Sequence, residues 1–304
     1  MGRGSYTASD WAKLRTTRKL SGGQAVENIF TNRQADKYYD SKKVQCRFCC
    51  DPAESAKATP VIIGFDATAS MGYLAKELAT SSLHNTITSL LSHRDISDPQ
   101  ILCAAIGDCK SDRYPLQVTQ FEADIRIIRQ LLDLHLEGGG GSNGGESYNL
   151  LWYFAARHTS HHHYEKRQKK GFLFTIGDDF CHSSLSAAEL SRNFPSMAVQ
   201  SISNEELLAE LRKTYHIFHI HLEKGSTIDA EIFHWWNQQI PGCCAPLHVK
   251  DVAFLPGLIT VLVSMAEGKT ADAALKQIDQ DVAERIARSV AAVHIPKETT
   301  IISF

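Results

Sequence analysis

The chain contains 304 residues, of which 43% are hydrophobic and 22% are charged, and these fractions are typical of a globular protein. Its formal net charge of −2 gives no basic footprint, so the bulk electrostatics do not favour nucleic-acid binding. The first residues lack the apolar core of a signal peptide, and the longest apolar stretch, 252–265, is too short to span a bilayer and is broken by Pro256 and Gly257. We therefore expect a cytoplasmic protein that binds neither nucleic acid nor membrane.

The N-terminal segment, residues 1–59, is polar and irregular in pattern. Asp10 is the expected N-cap of a short helix over 11–19, which the glycines at 22 and 23 end, and a second short helix is expected over 25–30. We predict that this segment forms an arm that lies over a main domain spanning 60–268.

The main domain is predicted to alternate strands with helices. Apolar runs predict buried strands at 61–66, 101–106, 172–176 and 217–222, and alternation predicts a half-exposed edge strand at 116–121. Apolar residues at helical spacing lie between the strands at 74–91, 125–136 and 148–155. This order predicts an α/β fold with a doubly wound (Rossmann-like), mostly parallel sheet and one antiparallel edge strand.

The C-terminal segment, residues 269–304, follows an apolar closing helix that begins near Pro256. One further helix is expected over 270–292 with Thr270 as its N-cap, and its apolar stripe is Leu275, Ile278, Val282, Ile286 and Val290. If the first three of these are exposed, the helix is a candidate for docking in a groove of a partner. If they pack on the sheet, they belong to the core.

Eight cysteines are compatible with reduced thiols in the cytoplasm. Cys46 and Cys49 have the spacing of zinc ligands, but the second half of such a site is the adjacent pair Cys243 and Cys244. Adjacent residues on a strand point to opposite faces, so this pair cannot easily bind one ion. Free thiols are the favoured interpretation.

Three of the buried strands lead into acidic residues at their carboxyl ends, namely Asp66, Asp108 and Asp178. In a parallel sheet the ligand site lies outside the carboxyl ends of the strands. Three carboxylates that converge there repel one another unless a cation joins them. Carboxylate and hydroxyl oxygens are the ligands that Mg²⁺ and Ca²⁺ prefer, and Thr68 and Ser70 add two hydroxyls to Asp66 at alternate positions.

The pattern D-x-T-x-S at residues 66–70 closely resembles D-x-S-x-S, the first motif of the metal-ion-dependent adhesion site (MIDAS) of von Willebrand factor A (vWA) domains. The second loop of such a site corresponds to the glycine-rich residues 140–143, and the third corresponds to Asp178. The resemblance covers roughly residues 60–265. It is closest to a bacterial and phage group with G-G-N-G-G-E-S-Y and I-G-D-[ED] segments.

The resemblance implies the metal ligands, which are Asp66, Thr68, Ser70, Ser142 or Asn143, and Asp178. It implies that the two hydroxyls bind the ion directly and that the two aspartates act largely through water. Around these ligands we expect Asp108, Glu146, Asp179 and His182. The expected cofactor is Mg²⁺, with Mn²⁺ or Ca²⁺ as alternatives, and one coordination position is left open.

In the vWA family an Asp or Glu of a protein partner fills the open position, so the implied function is recognition and not catalysis. Intracellular bacterial members often work with a separate MoxR-type AAA+ ATPase, and we expect an adaptor of this kind.

Two alternatives stay open at the level of sequence. One is a metal-assisted hydrolase that uses Asp66, Asp108, Asp178 and His182, and the other is a structural or virion scaffold. The glycine run does not favour nucleotide binding, because it follows a helix and no Gly-Lys-[Ser/Thr] closes it.

Overall fold

The computed structural model describes residues 6–21, 23–53, 56–68, 71–93, 95–139, 144–195 and 200–296. Three of the predicted metal ligands, Ser70, Ser142 and Asn143, lie outside the described residues.

The described chain contains ten strands: β1 (Arg47–Cys49), β2 (Thr59–Asp66), β3 (Pro99–Ile106), β4 (Leu116–Val118), β5 (Thr159–His161), β6 (Gly171–Gly177), β7 (Ser184–Leu185), β8 (Ile202–Ser203), β9 (Tyr215–Glu223) and β10 (Cys244–His248). Six of them form the central sheet in the order β10-β9-β6-β2-β3-β4. All neighbours pair in parallel except β3 and β4, which are antiparallel. The mostly parallel sheet and its antiparallel edge strand are therefore confirmed. The edge strand is shorter than the predicted 116–121, and the prediction that it is half-exposed was wrong, because all three of its residues are buried. Two small sheets, β1-β5 and β7-β8, lie outside it.

The helices are α1 (Ala8–Thr17), α2 (Val26–Ile29), α3 (Gly72–Glu77), α4 (Leu83–Leu91), α5 (Arg126–Leu132), α6 (Tyr148–Arg157), α7 (His162–Glu165), α8 (Ala187–Asn193), α9 (Asn204–Leu211), α10 (Asp229–Gln239), α11 (Leu255–Ala266), α12 (Ala271–Leu275) and α13 (Gln280–Ala291). A π-helical segment, Leu78–Ser82, joins α3 to α4, and a 3-10 segment, Val249–Phe254, leads into α11.

Helices cover both faces of the sheet, and β2 shows why. All eight of its residues are buried. Val61, Ile63 and Phe65 belong to one apolar core, whereas Ile62 belongs to the other. Successive side chains of a strand point to opposite faces, so a continuous apolar run is what a strand between two helical layers needs.

Gly64 of β2 lies where the sheet and α6 approach each other closely. A Cβ at this position would overlap Leu151 Cδ2 and would lie 2.9 Å from Ile106 Cδ1. Because both neighbours are fully buried, Gly64→Ala is expected to lower the free energy of unfolding by about 2 kcal/mol, as overpacking does. Urea unfolding measures this change. Gly23→Ala is the control, since a Cβ there would meet nothing within 4 Å. Equal stability of the two variants would contradict the prediction.

The N-terminal segment contributes to the core through its apolar side chains. Leu14, Leu20 and Phe30 are buried there, and Trp11 stacks on His84 of α4 with the ring centroids 4.9 Å apart. The predicted cap of the first helix was wrong by one turn. The hydroxyl of Thr7 accepts a hydrogen bond from the backbone N–H of Asp10, so Thr7 is the N-cap and α1 begins at Ala8.

The C-terminal segment forms two helices where one was predicted. Thr270 caps α12 as expected, with its hydroxyl accepting from the backbone N–H of Ala273 at 3.3 Å. The side chain of Asp279 then caps α13, because its Oδ1 accepts from the backbone N–H groups of Asp281 and Val282. The predicted docking stripe packs inward: Leu275, Ile278 and Val282 pack against the core, and Ile286 and Val290 are buried in it.

Residues 249–266 form one helical run that is long and apolar enough to cross a bilayer, by length and composition only. The prediction that this stretch is too short was therefore wrong. The predicted start of the closing helix near Pro256 is confirmed, because Pro256 lies in the first turn of α11, where its missing N–H costs no hydrogen bond. Half of the run is buried inside the structure. Leu258, Ile259 and Leu262 are fully buried, as in the core helix of a globular domain.

Candidate functional site

The candidate site lies at the carboxyl ends of β2 and β6, which are neighbours in the middle of the sheet. Numbered in chain order, the six strands of the sheet follow the doubly wound order 3-2-1-4-5-6, and β2 and β6 are its first and fourth strands. The strand order reverses between these two, and ligands bind at that reversal point. Asp66 is the last residue of β2, and Asp178 directly follows β6. The structure therefore brings these two predicted ligands to the expected end of the sheet.

Asp66 is held in one orientation by three donors. Its Oδ1 accepts hydrogen bonds from the backbone N–H of Thr68 at 2.8 Å and from the Thr68 hydroxyl at 2.7 Å. Its Oδ2 accepts from the Tyr148 hydroxyl at 3.2 Å. The residue is only 1% exposed. Burial raises the pKa of Asp66 to about 7, and the neighbouring charge of Asp178 adds to this rise, while the three donors oppose it.

Glu146 is the least satisfied acid of the site. It is 4% exposed, and its Oε2 has no hydrogen-bond partner among the described residues. Burial raises the pKa of Glu146 to about 9, and the charges of Asp66, Asp108, Asp112 and Asp179 raise it further. Its backbone is fixed by a bridge to Cys181, in which the Glu146 N–H donates to the Phe180 carbonyl at 2.8 Å. A buried carboxyl that lacks a partner, beside other carboxyls, is costly to ionise unless a positive charge or a hydrogen-bond donor compensates it.

Asp178 and Asp179 form the β6 side of the site. Asp178 makes an ion pair with the ammonium group of Lys224. Asp179 is fixed through its backbone, because its carbonyl accepts a hydrogen bond from the indole Nε1 of Trp236 at 3.0 Å. Burial raises the pKa of Asp179 above its ordinary value.

Asp108 belongs to a separate network beside the site. Its Oδ1 accepts from His182 Nε2 at 2.8 Å and from the backbone N–H of Lys110 at 3.0 Å. The Lys110 ammonium group in turn lies 3.1 Å from His182 Nδ1. The structure thus pairs two of the predicted surrounding residues, Asp108 and His182, with each other. Asp108 contributes charge to the site but already has its own donors.

An aromatic wall closes the inner side of the site. Tyr148 packs edge-on against Trp236 at 5.3 Å, and His219 stacks on the same indole with a centroid separation of 3.5 Å. A Cβ at Gly177 would overlap the Tyr148 hydroxyl, so only glycine lets this hydroxyl reach Asp66. From the sequence, Tyr148 was predicted only as part of the apolar stripe of a helix, and its contact with Asp66 was missed.

The described residues supply some, but not all, of the ligands that a divalent cation needs. Among them, His, Cys, Asp and Glu side chains alone form no group of three or more that could hold a metal ion. The Thr68 hydroxyl and the unpartnered Glu146 oxygen supply oxygens of the kind that a hard divalent cation takes. The eight cysteines are free thiols.

No family model matches the chain, and no curated protein matches it either. Two distant likenesses are among the solved structures that resemble the chain. The pilus adhesin SpaC of Lactobacillus rhamnosus GG, in its open conformation, matches 78% of this chain with 9% identity and a TM-score of 0.43. Proximal thread matrix protein 1 from the mussel byssus matches 69% of the chain with 12% identity and a TM-score of 0.43. The matches span 31% and 49% of those two chains. The vWA family therefore stays a prediction.

Proposed function

We propose that the protein is a vWA-type domain that binds a divalent cation, Mg²⁺ in the first place, at Asp66 and uses it to bind an acidic side chain of a partner protein. The observation that carries the proposal is the pair of buried carboxyls, Asp66 and Glu146, whose pKa values are raised at the reversal point of the sheet. Buried acids in each other's field are costly, and a bound cation removes that cost.

Three described residues would hold the cation: Thr68 through its hydroxyl, Glu146 through its free oxygen, and Asp66 through its fixed carboxylate. The resemblance adds Ser70, Asp178 and one of Ser142 or Asn143 as further ligands. The cation supplies a positive charge that attracts a carboxylate. The chain's own contribution is to hold Asp66 rigidly through Thr68 and Tyr148, so that the site does not rearrange when a partner arrives.

Luminescence of Tb³⁺ tests the proposal, since Tyr148 contacts Asp66 and Trp236 contacts Asp179. Excitation of these aromatic residues is expected to sensitise bound Tb³⁺, and excess Mg²⁺ or Mn²⁺ is expected to reverse the signal. Acetate then stands in for the partner's carboxylate. Lifetimes in H₂O and D₂O are expected to show that acetate displaces water from the ion, whereas chloride at equal ionic strength does not.

Absence of sensitised emission, or lifetimes that acetate leaves unchanged, would contradict the proposal. The identity of the partner, including a MoxR-type AAA+ ATPase, rests on family analogy and is proposed on that ground alone.

A further inference from the structure

Lys224 approaches the candidate site from the strand next to Asp178. It directly follows β9, which pairs in parallel with β6 so that His221 lies opposite Gly177. Its ammonium group forms an ion pair with Oδ2 of Asp178. The Asp178 side chain is 10% exposed and that of Lys224 is 39% exposed, so the pair lies at the mouth of the site.

The turn after Lys224 fixes the position of the Lys224 backbone. The buried carboxylate of Asp229 accepts from the backbone N–H groups of Gly225 at 2.8 Å and Ser226 at 3.0 Å, and from the Ser226 hydroxyl at 2.6 Å. Gly225 has a φ of +79°, which a glycine adopts without strain. Because this backbone is held, Lys224 reaches Asp178 by its side chain alone and can leave it without a change in the fold.

The Lys224–Asp178 ion pair lies in a cluster of acidic residues and therefore affects which cations can bind there. Asp66, Glu146, Asp178 and Asp179 act on one another electrostatically, and the positive charge of Lys224 lies among them through its ion pair with Asp178. The Lys224 ammonium group and a divalent cation that binds at Asp178, directly or through water, compete for the same negative charge. Exchanging the ammonium for a monovalent ion leaves the charge of the site unchanged, whereas exchanging it for a divalent ion adds one positive charge.

We propose that Lys224 is the resident counter-ion of the cation site: it neutralises Asp178 until a divalent cation displaces it, and it thereby excludes monovalent cations. This inference rests on the proposed function, because it needs a cation at Asp66 and Asp178. Lys224 contributes to ion selectivity and does not bind the ion itself.

Titration of the full-length protein with Mn²⁺, followed by electron paramagnetic resonance, tests the proposal. Lys224→Met is expected to bind Mn²⁺ about fivefold more tightly, which is the range of a partly exposed ion pair. In this variant NaCl is expected to weaken Mn²⁺ binding more than N-methylglucamine chloride does at equal ionic strength. Wild-type protein is expected to respond equally to the two salts.

Two variants serve as controls. Lys224→Arg keeps the charge and is expected to bind Mn²⁺ as the wild type does. Lys166→Met removes one positive charge away from the site, because Lys166 pairs with Asp51 at 3.5 Å and Asp51 precedes β2. This variant is expected to leave Mn²⁺ affinity unchanged. Thermal melting without metal adds a second measurement: Lys224→Met is expected to melt at a lower temperature, and Mn²⁺ is expected to raise its melting temperature more than that of the wild type.

The outcomes separate this inference from the proposed function. If all the proteins bind Mn²⁺ and Lys224→Met binds no more tightly than the wild type, Lys224 is not a counter-ion and the cation site itself is retained. If Lys166→Met tightens binding to the same extent, the effect is one of net charge and the inference is wrong. If the wild type does not bind Mn²⁺, both the proposed function and the inference are overturned.

Discussion

Asp66→Asn is expected to weaken Mn²⁺ binding about 100-fold, the upper end of what the loss of a carboxylate partner of a metal site gives. The substitution removes the charge and keeps the shape. The side-chain carbonyl of the introduced asparagine can still accept from the N–H and hydroxyl of Thr68, so the local turn is retained. The loss of affinity therefore reports the missing negative charge. Titration calorimetry with Mn²⁺ measures it.

Asp108→Asn is the matched control for this substitution. Asp108 is a buried aspartate at the same end of the sheet, but His182 and the Lys110 backbone already donate to it. Its conversion to asparagine is expected to change Mn²⁺ affinity by less than about fivefold. If both variants lose affinity equally, the affinity for Mn²⁺ depends on the total negative charge at this end of the sheet and not on Asp66 in particular. If Asp66→Asn binds as the wild type does, the cation is not at Asp66.

Much of the central sheet could be predicted, because its inner strands carry a simple signal. The apolar runs of β2, β3, β6 and β9 are long and uninterrupted, as strands between two helical layers must be. β10 was missed, since its sequence Cys-Ala-Pro-Leu-His contains a proline that normally argues against a strand. Pro246 is tolerated because β10 is an edge strand with one neighbour only.

The site could be predicted only where it depends on local sequence. Asp66 and Asp178 follow recognisable strands, so their placement at one edge is a consequence of the fold. Contacts between distant segments have no such signal. Lys224 is 46 residues from Asp178 in the sequence, and none of the residues around it indicates that it pairs with Asp178. Asp108 illustrates the opposite case, since its strand was predicted and its pairing with His182 was not.

The acidity of the site predicts how the stability of the metal-free protein changes with pH. Burial raises the pKa of Asp66 from 3.8 to about 7, so between these values the folded state holds a proton that the unfolded state has lost. The contribution of Asp66 to the free energy of unfolding then decreases as pH rises from about 4 to about 7, and it levels off above that. The full shift corresponds to a decrease of about 4 kcal/mol at most. Urea unfolding in EDTA at a series of pH values measures the slope.

Comparison with Asp66→Asn isolates this contribution. The variant has no proton to lose at position 66, so its stability is expected to decrease less than that of the wild type between pH 4 and 7. Glu146, with a pKa raised to about 9, continues the decrease above pH 7 in both proteins. Mg²⁺ binds the deprotonated acids, so it is expected to stabilise the wild type more at pH 8 than at pH 5.5. If the stability of the wild type decreases no more steeply than that of Asp66→Asn between pH 4 and 7 in EDTA, Asp66 is ionised at low cost, and the physical reason for a cation at this position is lost.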